Sequence, residues 1–476
     1  MTKTVKYKWV VLSNTTLGSL MASLDSNIVL IALPTIARNL PHATLFNLLW
    51  IIIGYQLVTA SVLINFGRLA DIFGRVRLYN LGFAIFTIGS ALCSLSQTGD
   101  ELIAFRLVQG VGAGFLFSNS AAIITDTFPI NERGMALGIN QISIVVGSVF
   151  GLVMGGILTS LAGWRSIFLV NIPIGIFATV WAHYKLKELA NIQKREGLDI
   201  LGNITFAGGV ALLLTGITLH ILSTMSFDSF LLMTVSGVAL LIAFIFVERR
   251  TLEPMFDLSI FKIRLFAAGN AAIFINSLAR GTVSIVLVFY LQGPSMNLSP
   301  LVAGIFLLPI SISMAALGPV SGWLSDRYGA RGLSTLGLIV SAMGFLLLAR
   351  IGLVITFTHL MVPLILIGAG MGLFASPNRA SIMNSVKESR RGVASGTSTT
   401  LVNIGSTFSM ALAFSVLAVG TPLKDLEGIF LGQKVGGNAT WIYSFINSIH
   451  SVYYLSAVLI LIAIIPSVLR GKPLSH

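Results

Sequence analysis

Charge is scarce in this sequence: 10% of its 476 residues are Asp, Glu, Lys or Arg, against about 25% in an average soluble domain. With 55% of the residues hydrophobic, that shortage excludes a soluble globular enzyme. Cysteine is nearly absent too, and the lone Cys93 excludes a disulfide framework and any cysteine-built metal site. His183, His220, His359 and His450 are scattered near the ends of apolar runs, so no metal centre is expected. No Walker-type Gly-x-x-x-x-Gly-Lys-Ser/Thr sequence occurs, which argues against direct use of ATP, and no cofactor is implied. A membrane enzyme would need His, Asp or Glu gathered near one interface, and the sequence gathers none.

Long apolar runs are what the chain has instead. A bilayer core about 30 Å thick takes about 20 apolar residues of helix. Fourteen such runs follow one another: 9–33, 47–69, 78–97, 102–124, 135–161, 165–184, 200–222, 229–247, 265–291, 300–324, 333–355, 360–384, 393–418 and 448–468. The first is read as a retained helix, since Ala32-Leu33-Pro34 offers no convincing small-residue cleavage site. The expected fold class is therefore an all-α integral membrane protein with 14 transmembrane helices and nothing left over for a soluble domain.

Lys and Arg exceed Asp and Glu by 13, which in a soluble chain would suggest a nucleic-acid partner; here the cations fall between the runs and act as topology signals. With the N-terminus inside, most of the 30 Lys and Arg lie on the cytoplasmic side. Outside segments hold Arg38, Arg165, Arg350, Lys424 and Lys434, and Arg106 and Arg280 fall within spans. An even number of helices with both termini cytoplasmic follows. The longest outside segment, 419–447, carries the sequon Asn438-Ala439-Thr440, a three-residue pattern that chance readily supplies.

The chain also repeats itself. Gly67-Arg68-Leu69-Ala70-Asp71-Ile72-Phe73-Gly74-Arg75 recurs as Gly322-Trp323-Leu324-Ser325-Asp326-Arg327-Tyr328-Gly329 with Arg331, an offset of 255. Gly110, Gly112 and Gly114 recur at an offset of 258 as Gly368, Gly370 and Gly372. The organisation expected is a six-helix bundle over 1–198, two inserted helices and a linker over 199–264, and a second six-helix bundle over 265–476. The repeat axis would stand along the membrane normal, with a cavity between the bundles.

These residues resemble the major facilitator superfamily, specifically its fourteen-helix drug:proton antiporter branch. Gly67 to Leu78 is similar to the family's loop motif after the second helix, and Arg106-Leu107-Val108-Gln109-Gly110-Val111-Gly112-Ala113 to its fourth-helix motif. Leu24-Asp25-Ser26-Asn27-Ile28-Val29 with Ala32-Leu33-Pro34 resembles the first-helix motif of that branch, and Gly163-Trp164-Arg165-Ser166-Ile167-Phe168-Leu169-Val170-Asn171-Ile172-Pro173 its entry to the sixth. One departure stands out: Leu152 occupies the place of the proline in the antiporters' fifth-helix motif. Gly147, Gly151 and Gly155 still supply a smooth face for close helix packing.

Charged groups in mid-span are costly, so the few present are candidates for function. Asp25 is the first, and it is read as an acid that loads and unloads a proton. Asn14, Gly18, Met21 and Ala22 share its helical face and suggest a cavity wall. The resemblance implies that Arg106 contacts Asp25. Arg280 lies at Asp25 plus 255, which would set acid and base at matching places in the two halves, and Asn276, Ser277 and Ser284 share its face. Three roles stay open for it: recognition of a carboxylate or phosphate, counter-ion to Asp25, or structural pairing elsewhere.

By resemblance, Asp71, Arg75 and Arg77 form a cytoplasmic latch, with Arg75 meeting Asp126 and Asp71 a helix end of the second half; Asp326 and Arg331 repeat the pattern more loosely. Gln56, Gln109, Asn119 and Tyr290 either line the cavity or glue helices together. The function expected is export of amphipathic drug-like cations or zwitterions in exchange for protons, by alternating access across the cell membrane. The alternative is proton-coupled transport of an organic anion or anionic lipid. The partners expected are a small-molecule substrate, protons and lipid, with no nucleic acid, for a monomeric protein.

Overall fold

The structure is a computed structural model that describes residues 2–189, 199–251, 254, 256–387, 390–431 and 440–470. The side chains of Asp71 and Asp326, and Asn438 and Ala439 of the sequon, lie outside the described residues. Those residues form sixteen α-helices and no strand. In order they are α1 (Thr2–Asn39), α2 (Leu45–Phe73), α3 (Arg75–Leu95), α4 (Gly99–Thr127), α5 (Ile130–Ala162), α6 (Ser166–Leu169), α7 (Asn171–Lys185), α8 (Ile200–Ile221) and α9 (Phe227–Arg250). There follow α10 (Arg264–Gln292), α11 (Pro300–Tyr328), α12 (Ala330–Leu348), α13 (Phe357–Asn384), α14 (Arg391–Gly420), α15 (Leu423–Leu431) and α16 (Thr440–Leu469).

Among the described residues, fourteen helical stretches are long and apolar enough to cross a membrane, with α6 and α7 together making the sixth, Ser166–Lys185. The segment read as the longest outer loop contains a helix of its own, α15, whose Phe430 packs on Phe289 and Phe414 at 3.9 and 4.8 Å between ring centres.

Helix starts are set by the sequence. Thr44 accepts from the Asn47 N–H while Asn47 Oδ1 accepts from the Thr44 N–H, a reciprocal box at the head of α2. Thr98 caps α4, whose first turn carries Asp100 and Glu101, acids suited to a helix N-terminus. Asn47 Nδ2 also donates to Asp100 Oδ1 at 2.7 Å, tying the two starts together. Gly74, at φ 104°, ends α2 and begins α3 within one residue.

The chain divides into two compact units, Met1–Ala207 with Arg250–Met255, and Gly208–Arg249 with Phe256–His476. The inserted pair is shared between them. Asn203, early in α8, donates to Ser61 O on α2 at 2.5 Å in the first unit. Later in α8, Gly209 meets Gly237 of α9 so closely that a Cβ on either would stand 3.0 Å from the other's carbonyl.

Inside the first unit, α5 lies directly on α1. A Cβ at Gly147, Gly151 or Gly155 would meet the carbonyls of Leu20, Leu24 and Ile28 at 2.6, 2.7 and 3.0 Å, so only glycine permits this approach. Helix α5 runs from Ile130 to Ala162 without an internal proline, and the buried Leu152 continues it where the antiporter motif would kink.

The second unit repeats the contacts, not just the sequence. Gly110 of α4 abuts Tyr55 O on α2, and Gly368 of α13 abuts Ile310 O on α11; Gly112 abuts Phe86 of α3, and Gly370 abuts Ser341 of α12. These pairs carry the offsets 255 and 258 through the bundle. The first helices do not follow. Gly147 meets Leu20, Ser23 and Leu24, and its counterpart Gly405 on α14 meets Phe274, Ser277 and Leu278 of α10, an offset of 254. Asp25 therefore corresponds to Ala279, and Arg280 to Ser26. The expectation that acid and base occupy matching places is corrected by one residue, which on a helix is a turn of about 100°.

Candidate functional site

Asp25 and Arg106 form a fully enclosed ion pair, with relative exposures of 0% and 1%. Arg106 Nη1 donates to Asp25 Oδ2 at 2.5 Å, and the opposite oxygen, Oδ1, accepts from Gln109 Nε2 and Asn171 Nδ2, both at 2.9 Å. Gln109 works in both directions, because its Oε1 accepts from Arg106 Nη1 at 2.6 Å and its Nε2 also donates to Ser90 Oγ at 2.6 Å. Arg106 Nε donates to Ile51 O at 3.1 Å, and its guanidinium carbon lies 4.1 Å from the centre of the Tyr55 ring. Five helices, α1, α2, α3, α4 and α7, thus meet in one network around the Asp25–Arg106 pair.

Local sequence explains the convergence. Arg106 and Gln109, three apart, share a face of α4. Gly110 lets α2 close enough to lay Tyr55 on the guanidinium, and Gly89 brings α3 onto the Gln109 backbone, where any Cβ would stand 2.9 Å away. The sixth span breaks at Val170, so Asn171 opens α7 with Pro173 in its first turn, where a missing N–H costs nothing. That break turns the Asn171 amide toward Asp25. On the far side of α1, the α5 glycines fix the helix in place.

The face of Asp25 expected to be a cavity wall is packed interior. Asn14, Met21 and Ala22 are fully buried, and Gly18 lies against the Tyr79 hydroxyl. The part-exposed positions beside Asp25 are Ser26 and Asn27. The counter-ion of Asp25 is Arg106 of the same unit, which displaces the reading of Arg280 in that role.

Similarity to known proteins agrees with this architecture. The model of the Major Facilitator Superfamily matches residues 15–410 and 269–475. The chain belongs to that superfamily. It is 33% identical over 418 residues to the riboflavin transporter RibZ of Clostridioides difficile (strain 630), covering 86% of this chain and 88% of that one. It is 30% identical over 440 residues to multidrug resistance protein 3 of Bacillus subtilis (strain 168), covering 91% and 83%. Among solved structures, a bacterial homologue of the human lysosomal transporter Spinster, inward-facing and unoccupied, has a TM-score of 0.70 at 15% identity over 98% of this chain and 97% of that one, which shows a shared fold.

Within this superfamily member the polar network is confined to one half. The positions matching Asp25, Ser90, Arg106 and Gln109 are Ala279, Phe345, Leu364 and Ile367, all fully buried and apolar. The first unit keeps a buried charge pair where the second has ordinary hydrocarbon packing.

The remaining candidate residues are dispersed. Arg75 Nη1 donates to both carboxylate oxygens of Asp126 at 2.7 and 2.9 Å, joining the start of α3 to the end of α4. Arg77 and Arg331 are exposed. Tyr290 is fully buried, its hydroxyl donating to Gly352 O at 2.8 Å, and the buried Asn119 donates to Phe115 O one turn back. Gln56 is half-buried on α2, and Gln109 belongs to the charge network. Asn276 is buried and Arg280 half-buried on α10.

Sequence reasoning missed Asn171, Ser90 and Glu188. Glu188 Oε2 accepts from the Val76 N–H at 2.9 Å and caps α3 from the segment following α7. Beside it, Tyr7 of α1 accepts from the Lys187 N–H at 2.8 Å. Only Asn171, inside the Asn-Ile-Pro of the sixth-helix motif, carried a local signal.

Proposed function

We propose that this superfamily member is a proton-driven exporter of amphipathic, drug-like compounds in the cell membrane, with Asp25 as the proton-coupling acid. The observation that carries the reading is the Asp25 carboxylate, the only acid near the middle of any span, held by donors from α4 and α7. All three donors present N–H groups, which match an ionised carboxylate. A proton arriving on Asp25 cancels the charge that holds the Arg106 guanidinium and leaves that guanidinium donating to a neutral group, so the pair is loosened. Arrival of the proton therefore changes how α1 seats against α4 and α7, which is the link between proton and conformation that alternating access requires. The Arg75–Asp126 pair would act as a latch on one of the alternating states. Similarity to multidrug resistance protein 3 supports the substrate class.

The test is flux in proteoliposomes under an imposed pH gradient. Wild type should accumulate an amphipathic dye in proportion to the gradient, and Asp25→Asn should lose that dependence. Gradient-driven flux persisting in Asp25→Asn would remove the reading.

A further inference from the structure

We infer that Arg280, with Asn276 and Ser284, forms an oxyanion-recognition stripe on α10, so that the cargo of this protein is an amphipath bearing a carboxylate or similar anionic group. This deepens the exporter reading and rests on it for the word cargo. The one-residue difference in register is the starting point. Had Arg280 stood where Asp25 stands, its side chain would enter the packed interior that Ala279 occupies. Turned by one position, it takes the place of Ser26, on a half-buried face of its helix.

Arg280 makes no hydrogen bond or ion pair with any described residue, although it sits in mid-span, about 24 Å along α10 from Arg264. A guanidinium stays charged at any physiological pH and cannot serve as a proton carrier. Its charge needs a partner, and no described acid supplies one. Asn276 and Ser284 lie one turn before and one turn after on the same face, and neither side chain bonds to a described residue. An amide, a fork of N–H donors and a hydroxyl in line are the groups that hold an oxyanion, with the guanidinium taking two oxygens at once. The stripe is flanked by apolar packing positions, Ile273, Val283 and Leu287, so the charged end of a ligand is recognised within an otherwise apolar setting.

The test is equilibrium binding to the purified full-length protein, read by fluorescence anisotropy, with rhodamine B, which carries a free carboxylate, and rhodamine B ethyl ester, which does not. Wild type should bind the acid about tenfold more tightly than the ester, a difference of about one decade in Kd. Arg280→Ala should abolish the difference, Arg280→Lys should restore part of it, and Asn276→Ala should reduce it, each variant being checked for an unchanged melting temperature. Equal binding of the two dyes by wild type, binding of neither, or a preference surviving in Arg280→Ala would overturn the proposal. Binding needs no pH gradient, so a failed gradient-driven flux assay with a normal acid preference would count against the exporter reading alone.

Discussion

Gln109 accepts from Arg106 and donates to Asp25, so one side chain bridges both members of a buried ion pair. Without it, Asp25 Oδ1 would rely on Asn171 alone. Substituting Gln109→Leu keeps the volume and removes both bridging bonds together with the one to Ser90, and a buried hydrogen bond to a charged group contributes about 1.5–3 kcal/mol. The variant should fold with a clearly lower melting temperature in detergent. An unchanged melting temperature would show that the bridge contributes little.

The α5 glycines allow a sharper comparison. At Gly151 a Cβ would stand 2.7 Å from Leu24 O, one residue from Asp25, so Gly151→Val must push α5 off α1. Overpacking of this kind costs about 1–3 kcal/mol, and here it also displaces the helix that carries the acid. Gly138, on the same helix with nothing within 4 Å, is the control. Gly151→Val should lower both the melting temperature and the transport rate, and Gly138→Ala neither. Equal behaviour of the two variants would mean that the close approach has no mechanical role.

How far these features were legible in the sequence follows from the range of the forces involved. Spans are a property of consecutive residues, and the fourteen apolar runs sufficed for them. Asp25 and Arg106 were conspicuous because charge in mid-span is rare. Asn171, by contrast, reaches Asp25 across 146 positions of sequence, and one amide in a helix carries no mark of its partner. The offset of 255 was calibrated on the loop motif and carried to a helix that follows 254; one residue leaves a loop comparison intact but turns a helical side chain onto another face. Helix α15 escaped notice because nine residues are too few for a span.

Glu188 predicts an effect at the N-terminal end of α3. Gly74 offers that helix no capping side chain, and Glu188 supplies one from a distance of 112 positions. Glu188→Ala should cost about 0.5–2 kcal/mol, the range for a lost N-cap, while Glu188→Gln, which keeps an acceptor oxygen, should recover most of it. Hydrogen exchange at the Val76 amide reads this directly: it should quicken in the alanine variant and stay slow in the glutamine one. Protection unchanged in both would show that the cap is ornamental.

The ion pair itself separates structure from coupling. A buried pair is destabilised by about 3–5 kcal/mol when one partner is removed, because the other charge is left without compensation, whereas removing both can be nearly neutral. Asp25→Asn alone leaves the Arg106 guanidinium against a neutral amide, and Arg106→Gln alone leaves the carboxylate with Gln109 and Asn171 only. Both single variants should melt earlier than wild type, and Asp25→Asn with Arg106→Gln should regain most of the loss. Gradient-driven transport should follow a different rule: if Asp25 carries the proton, the double variant folds and still does not couple. Recovery of coupled flux together with stability would reduce Asp25 to a structural acid locked to a cation and move the search for the proton carrier elsewhere in the chain.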